Sequence, residues 1–196
     1  MSSSEPSGEG TAQPSRSAGP VRHFDQPPPT AIDRQARYSA EIVVSTEAVE
    51  LGTIVVALDP FTAPVTVNNF VALARHHFYD GLTFHRVIKG FMCQGGCPEG
   101  TGRAGPGYTF ADELPRPGRY ELGSVAMANS GPNTNGSQFF IVSGPKGIRL
   151  PPQYSLFGKV IRGLDVVGRM QAVPTGPGDA PIDPVMIDSV SIVEKT

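Results

Sequence analysis

Short apolar or alternating segments, separated by turn residues, follow one another from about residue 39 to the end of the chain. Val, Ile and Phe are frequent in these segments, and several are bounded by Gly, Asn or Pro. In chain order they read AEIVVS, GTIVVAL, LTFHRVI, GFMCQ, SVAMA, QFFIV, SLFGKVI and VMIDSVSIV. Runs of this length and composition predict β-strands, and their close spacing is typical of an antiparallel barrel or sandwich.

Two segments have a helical period instead. Residues 64–75 begin with a proline, which favours the first turn of a helix, and carry apolar side chains at spacings of three and four, namely Val67, Phe70, Val71 and Ala74. Residues 163–171 place three more apolar side chains on one face, Leu164, Val167 and Met170. We therefore predict two short amphipathic helices on a mostly β domain.

The first 38 residues differ from the rest of the chain. Residues 1–30 contain 6 Ser, 6 Pro and 3 Gly, so they cannot bury enough apolar surface to offset the entropy lost on ordering. We predict a flexible tail over residues 1–38 and one folded domain over residues 39–196. The prolines at 27–29 predict a stiff polyproline II segment, either a plain spacer or a ligand for a proline-recognising module.

Composition and charge narrow the class of protein. The 23 Gly and 20 Pro make up about 22% of 196 residues, where an average protein has roughly 12%. The excess is as strong outside the tail, so it indicates turns between strands. With a net charge of −2, the chain has no excess of positive charge with which to bind nucleic acid or an anionic membrane. Two Cys, no apolar run near ~20 residues and no signal-like N-terminus lead us to expect a cytoplasmic protein, and we expect a monomer.

Two motifs that suggest cofactor or metal chemistry lack the context they need. Residues 100–105, GTGRAG, have the glycine spacing of a dinucleotide-binding turn, but Pro106 and Gly107 follow where a helix would have to begin. Cys93 and Cys97 form a single C-x3-C pair without a His at zinc-finger spacing. We therefore expect a glycine-rich surface loop and neither metal nor cofactor. The two thiols are either inert or a redox pair.

Two blocks of sequence combine polar groups of little acid–base capability with large apolar side chains. They are residues 84–96, FHRVIKGFMCQGG, and residues 127–142, MANSGPNTNGSQFFIV. Neither block contains Asp, Glu or a Ser–His pair that could break a bond. An apolar pocket with an Arg and amide groups at its rim suits an apolar ring attached to a peptide backbone. Rotation about a peptide bond is a reaction that needs no acid, base or nucleophile.

Rotation about an X-Pro bond meets a barrier of roughly 18–20 kcal/mol, because resonance gives the C–N bond partial double-bond character. A guanidinium that donates a hydrogen bond to the prolyl nitrogen favours the pyramidal form of that nitrogen and weakens the resonance. An apolar pocket fixes the ring while the carbonyl side turns. Each ~1.36 kcal/mol removed from the barrier raises the rate tenfold.

The two blocks and their spacing resemble the cyclophilins, a family of peptidyl-prolyl cis-trans isomerases. The resemblance extends from about residue 40 to 194 and includes the stretches TVNNFVALA, GTGRAGPGYTFADE, GPNTNGSQFF and SLFGKVIRGLDVVGRM. It implies a closed eight-stranded antiparallel β-barrel capped by two short α-helices. It also implies an isomerase without cofactor, which acts on X-Pro bonds in peptides and unfolded proteins and so assists protein folding.

The resemblance implies a role for each group of the two blocks. Arg86 corresponds to the catalytic guanidinium. The proline pocket would be formed by Phe91, Met92 and Phe140. The groove would be lined by Gln94, Ala128, Asn129 and Gln138, with the backbone of Asn129 anchoring the substrate peptide. Strand alternation points the neighbouring Phe139 and Ile141 to the opposite face, where we expect a structural role.

The chain departs from the family between residues 142 and 157, where members often have a Trp-Leu pair followed by a His. This chain contains no Trp. We expect Leu150 at the leucine position and Tyr154 at the histidine position, or else an ordinary pair that anchors a loop. Ile148 or Arg149 would lie near the missing indole. Tyr supplies a flat face and a hydroxyl donor, so catalysis should survive. Because the family's Trp contacts the immunosuppressant cyclosporin, we predict weakened binding of that drug.

Two interpretations from other classes stay open at this point. A proline-peptide binding module or holdase would use the same groove with negligible turnover, and its rim groups would be identical. A scaffold whose tail recruits partners predicts that deletion of residues 1–38 abolishes association and leaves the isomerase rate intact.

Overall fold

The computed structural model describes residues 20–117 and 119–195, which form nine β-strands, three α-helices and one 3-10 turn. The strands are β1 (Arg37–Ser45), β2 (Glu50–Leu58), β3 (Leu82–Thr83), β4 (Arg86–Ile88), β5 (Met92–Gly95), β6 (Ser124–Met127), β7 (Phe139–Val142), β8 (Leu156–Arg162) and β9 (Met186–Lys195). The helices are α1 (Pro64–Arg75), α2 (Pro145–Ile148) and α3 (Leu164–Met170). The 3-10 turn spans Pro177–Asp179.

All nine strands belong to one antiparallel sheet with the order β3-β9-β1-β2-β8-β6-β7-β5-β4. The edge strands β3 and β4 are separated by only two residues, Phe84 and His85, so the sheet must curl until its edges meet. The Phe84 amide still donates to the carbonyl of Val185 at 2.8 Å, whereas Arg86 already pairs with β5. The mainly β class predicted from the sequence is confirmed.

The strand count and the closure differ from the predicted closed eight-stranded barrel. The segment LTFHRVI reads as one strand, but it changes partner at Phe84 and His85 and therefore forms both β3 and β4. No hydrogen-bonded ladder joins β3 to β4 among the described residues. The two edges of the curled sheet are instead joined through the backbone, by Phe84 and His85.

Helices α1 and α3 correspond to the two predicted segments. The third helix, α2, has four residues, too few to show a helical period in the sequence. Within residues 20–117 and 119–195, no helix has the length and apolar character that a membrane span requires.

The main hydrophobic core joins one face of the sheet to α1. At Phe139 of β7 the rings of Phe70, Tyr79 and Phe84 meet the phenyl ring edge-on, at centroid distances of 5.5, 5.6 and 5.8 Å. Strand alternation sends the next residue, Phe140, into a second and smaller apolar cluster. One face of β7 therefore packs in the main core and the other in the smaller cluster, as the sequence predicts.

Residues 20–36, which we call the N-terminal arm, pack against α1. The Asn68 side chain accepts a hydrogen bond from the backbone N–H of Ala31 at 2.8 Å. It also donates to the carbonyl of Pro29 at 3.1 Å. Farther along the arm, Ile32 is buried in the main core. Apolar and hydrogen-bonded contacts thus give the arm a defined path over the domain.

The arm lies within the segment that the sequence predicts to be a flexible tail. The predicted flexible tail covers residues 1–38, but the structure seats residues 20–36 on the domain and begins β1 at Arg37. A few anchoring side chains hold residues 20–36 on the domain. The average composition of the segment does not reveal them. The prolines at 27–29 belong to this seated segment. The predicted flexibility of residues 1–19 concerns a stretch outside the described residues.

Candidate functional site

Strands β4, β5 and β7 pair side by side and bring the two sequence blocks together. In their register Arg86 stands opposite Gln94, and Gln94 stands opposite Phe140. Directly paired residues project from the same face of a sheet, so these three side chains share one side. They border a cavity of about 170 Å³ lined by Arg86, Phe91, Met92, Gln94, Ala128, Asn129, Phe140, Leu150 and Tyr154. The structure therefore gathers nine of the ten predicted site residues around one cavity.

The floor of this cavity is apolar and closely packed. Met92 and Phe140 are 3% and 4% exposed and belong to the smaller apolar cluster. The Tyr154 ring meets the Phe140 ring edge-on, with centroids 5.4 Å apart and planes at 90°. The Tyr120 hydroxyl accepts a hydrogen bond from the Tyr154 N–H at 3.1 Å and donates to the Tyr154 carbonyl at 2.7 Å. Burial raises the pKa of Tyr120 to about 12, so this hydroxyl keeps its proton.

One glutamine side chain, Gln94, lies on the polar side of the cavity, and a second, Gln138, holds it from behind. Gln94 Nε2 donates to Gln138 Oε1 at 3.0 Å. Gln138 Nε2 in turn donates to the carbonyls of Gly102 and Ala104, each at 2.9 Å. Gln138, the tenth predicted residue, thus lies behind Gln94 and lines an adjoining cavity instead of this one. The hydrogen bonds fix the orientation of Gln94 opposite Arg86.

Asn129 presents its backbone at the rim of the cavity. Its side chain is engaged within the protein, since Nδ2 donates to the carbonyl of Gln153 at 2.9 Å and Oδ1 accepts from the Gly131 N–H at 3.3 Å. Within the described part of the chain, the backbone N–H and C=O of Asn129 have no hydrogen-bond partner. A free donor and acceptor beside an apolar pocket suit the backbone of an extended peptide.

Arg86 lies at the polar edge of the cavity beside an acidic residue that the sequence analysis misses. The Arg86 Nε lies 3.5 Å from Oδ2 of Asp179, and both side chains are about half exposed. Asp179 has a left-handed backbone with φ 61°, which is uncommon for a residue with a side chain. The turn Pro177–Asp179 is evident in the sequence, but its distance from both blocks gives no hint that it adjoins Arg86.

A second cavity of about 270 Å³ adjoins the first and shares Gln94, Ala128 and Asn129 with it. Residues 102–109, which we call the glycine-rich loop, form much of its wall. The GTGRAG motif that leads into this loop has no helix after it, which confirms the prediction of a surface loop. What the motif does not reveal is that two carbonyls of this loop orient Gln138.

The two cysteines lie in the interior as free thiols. Cys93 is fully buried in the main core, on the side of β5 away from the cavity, and burial raises its pKa to about 12. Cys97 Sγ accepts a hydrogen bond from the Gly102 N–H at 3.2 Å. Burial raises the pKa of Cys97, but several backbone N–H donors outweigh it, and the net shift is downward. No group of three potential metal ligands occurs among the described His, Cys, Asp and Glu residues.

Comparison with known proteins identifies the family. The cyclophilin type peptidyl-prolyl cis-trans isomerase/CLD family matches residues 42–192. Peptidyl-prolyl cis-trans isomerase CYP18-1 of Arabidopsis thaliana is 47% identical over 133 residues, which cover 66% of this chain and 82% of that protein. Peptidyl-prolyl cis-trans isomerase B of Bacillus subtilis is 53% identical over 114 residues, which cover 58% of this chain and 79% of that protein.

Solved structures lead to the same family. A crystal structure of a Cryptosporidium parvum cyclophilin type peptidyl-prolyl cis-trans isomerase aligns with a TM-score of 0.73 and 33% identity, covering 82% of this chain and 99% of that one. The same parasite protein has also been solved in the presence of the dipeptide Ala-Pro. The chain therefore belongs to the cyclophilin family of peptidyl-prolyl cis-trans isomerases, and the isomerase function predicted from its two sequence blocks is confirmed.

Proposed function

We propose that the cavity beside β4, β5 and β7 binds the proline ring of an X-Pro peptide and that Arg86 accelerates rotation about its peptide bond. The observation that carries this proposal is the set of residues around the cavity, an apolar floor with one guanidinium at its edge. The volume of about 170 Å³ admits a prolyl ring. The lining residues include no carboxylate, thiol or hydroxyl nucleophile paired with a base, so bond rotation is the chemistry they suit.

The proposed mechanism is electrostatic and geometric. Phe140 and Met92 hold the ring, while the free backbone groups of Asn129 hold the peptide on the carbonyl side. As the carbonyl turns out of plane, the prolyl nitrogen becomes pyramidal and its lone pair accepts a hydrogen bond from Arg86. That hydrogen bond is strong only in the twisted form, so it stabilises the transition state more than either planar isomer. No proton is transferred and no covalent intermediate forms.

Turnover by the wild-type chain separates this proposal from a proline-peptide binding module or holdase. We expect the full chain to accelerate cis-to-trans exchange of an Ala-Pro peptide in proportion to its concentration. Coupling the exchange to a protease that cleaves only the trans form measures the rate. A chain that binds the peptide in an NMR titration, yet leaves the exchange at its uncatalysed rate, would instead be a binding module.

The proposed substrates are X-Pro bonds in peptides and unfolded proteins, through which the chain would assist folding. The cavity wall offers contacts to one ring and one stretch of backbone, and an unfolded chain exposes both. We also propose that the protein acts in the cytoplasm as a monomer. Its two free thiols suit a reducing compartment.

Cyclosporin is expected to bind weakly. The chain has no Trp, and Ile148 and Arg149, which directly precede Leu150 of the cavity wall, are exposed. Losing one indole contact costs about 1–3 kcal/mol, so we expect a dissociation constant about 5- to 150-fold weaker than for a Trp-bearing cyclophilin. Calorimetric titration is the suitable measurement, because a chain without Trp has no indole fluorescence to follow. A dissociation constant equal to that of the Trp-bearing protein would refute the prediction.

A further inference from the structure

The N-terminal arm touches the glycine-rich loop that supports the polar side of the cavity. The backbone N–H of Phe24 donates to the carbonyl of Pro106 at 2.7 Å. The approach is close, since a Cβ atom on Gly107 would overlap the Phe24 carbonyl oxygen. Only glycine permits this contact, which leaves no space between the arm and the loop.

Two side chains anchor this part of the arm at the end of α1. The Phe24 ring packs against the rings of His76 and Phe78, at centroid distances of 5.5 and 6.4 Å. The Arg22 guanidinium donates hydrogen bonds to the carbonyls of Phe78 and Asp80. It also lies 6.0 Å from the centroid of the Phe78 ring. Phe78 belongs to the main core, so the arm connects the core of the fold to the loop.

From the loop, hydrogen bonds lead to Gln94, the residue that stands opposite the proposed catalytic group. Two residues before Pro106, the Ala104 carbonyl accepts the hydrogen bond from Gln138. Gln138 accepts the hydrogen bond from Gln94, which stands opposite Arg86 in the pairing of β4 with β5. A loop rich in glycine has wide backbone freedom of its own, so its carbonyls keep one position only where other groups support it.

We infer that Arg22 and Phe24 are positioning residues, which clamp the glycine-rich loop and thereby fix the orientation of Gln138 and Gln94 beside the catalytic guanidinium. The effect on rate rests on the proposed function, whereas the clamp is a property of the peptide-free chain. The arm is therefore part of the enzyme's working structure and not a spacer ahead of it.

The test compares full-length Phe24→Ala and Arg22→Ala with Gln26→Ala, a matched change at an exposed arm residue. We expect kcat/KM for an Ala-Pro peptide to fall about three- to tenfold in the two anchor variants and to stay at the wild-type value in the control. The loss should appear mainly in kcat, because the apolar floor that binds the ring is unchanged. Phe24→Leu keeps the apolar packing and should restore most of the activity. All rates are measured where circular dichroism shows each variant fully folded.

Two further readouts distinguish positioning from stability alone. In a Gln138→Ala background, Phe24→Ala should cause no additional loss of kcat, since the connection is already broken. In the peptide-free protein, the side-chain amide NMR signals of Gln138 and Gln94 should shift in Phe24→Ala and not in Gln26→Ala. The NMR result does not depend on turnover, so an inactive wild-type chain would refute the proposed function without deciding the clamp. Unchanged amide signals, wild-type kcat in the folded anchor variants or a fully additive double variant would each overturn the inference.

Discussion

Replacing Arg86 with alanine is expected to lower kcat/KM for an X-Pro peptide about 100- to 1000-fold, the usual cost of removing one donor that acts in a transition state. The guanidinium stands at the edge of the cavity, and the remaining lining residues include no other cation that could take its place. Its hydrogen bond forms with a lone pair that is available only when the peptide bond is twisted. The loss should therefore fall on kcat, whereas peptide affinity, which depends on the apolar floor, should change little.

Protease-coupled kinetics and an NMR titration of the same peptide measure the two quantities separately. Arg162→Ala is a suitable control, because Arg162 is an exposed arginine of β8 that pairs with Glu41 at 3.7 Å and does not line the cavity. Arg86→Lys keeps the charge but not the planar array of donors, so an intermediate rate is expected. If Arg86→Ala retained the wild-type rate, the guanidinium would have no part in catalysis.

Seven of the nine residues that line the cavity come from the two sequence blocks, and the resemblance to the cyclophilins supplied their expected roles. Along β7, alternate residues belong to the main core and to the smaller cluster that includes Phe140. Once the resemblance to the cyclophilins places Phe140 in the pocket, strand alternation assigns Phe139 and Ile141 to the opposite face. The type of reaction could be inferred from the residue types of the two blocks. Two blocks of sequence without Asp, Glu or a Ser–His pair leave few reactions to consider.

Features that depend on contacts between distant segments could not be predicted. Asp179 meets Arg86 only because a turn near the end of the chain folds over β4. The division of LTFHRVI into two strands follows from the choice of partner strand, which no local pattern encodes. The placement of the arm could not be predicted for the same reason. Its composition resembles that of a flexible tail, whereas a few side-chain contacts, such as that of Phe24 with His76, hold it on the domain.

The second large effect is expected from a matched pair of neighbouring phenylalanines. Phe139→Ala should lower the free energy of unfolding by about 3–5 kcal/mol, because it removes a fully buried ring that three others contact edge-on. Phe140→Ala removes a ring that borders the cavity, so we expect a smaller loss of stability. Its kcat/KM should fall about 10- to 100-fold through a higher KM, the cost of losing about 1.5–3 kcal/mol of apolar contact with the proline ring.

Urea unfolding measures the first effect and protease-coupled kinetics the second, with each variant serving as the control for the other. The two positions are adjacent, carry the same residue and lie on the same strand, so only the face of the sheet differs. Below its unfolding transition Phe139→Ala should keep a KM near the wild-type value. If both variants lost stability and affinity in the same proportion, the core and the cavity would behave as one packed unit. The assignment of Phe140 to the proline pocket would then lose its support, because damage to the core alone would account for its kinetic effect.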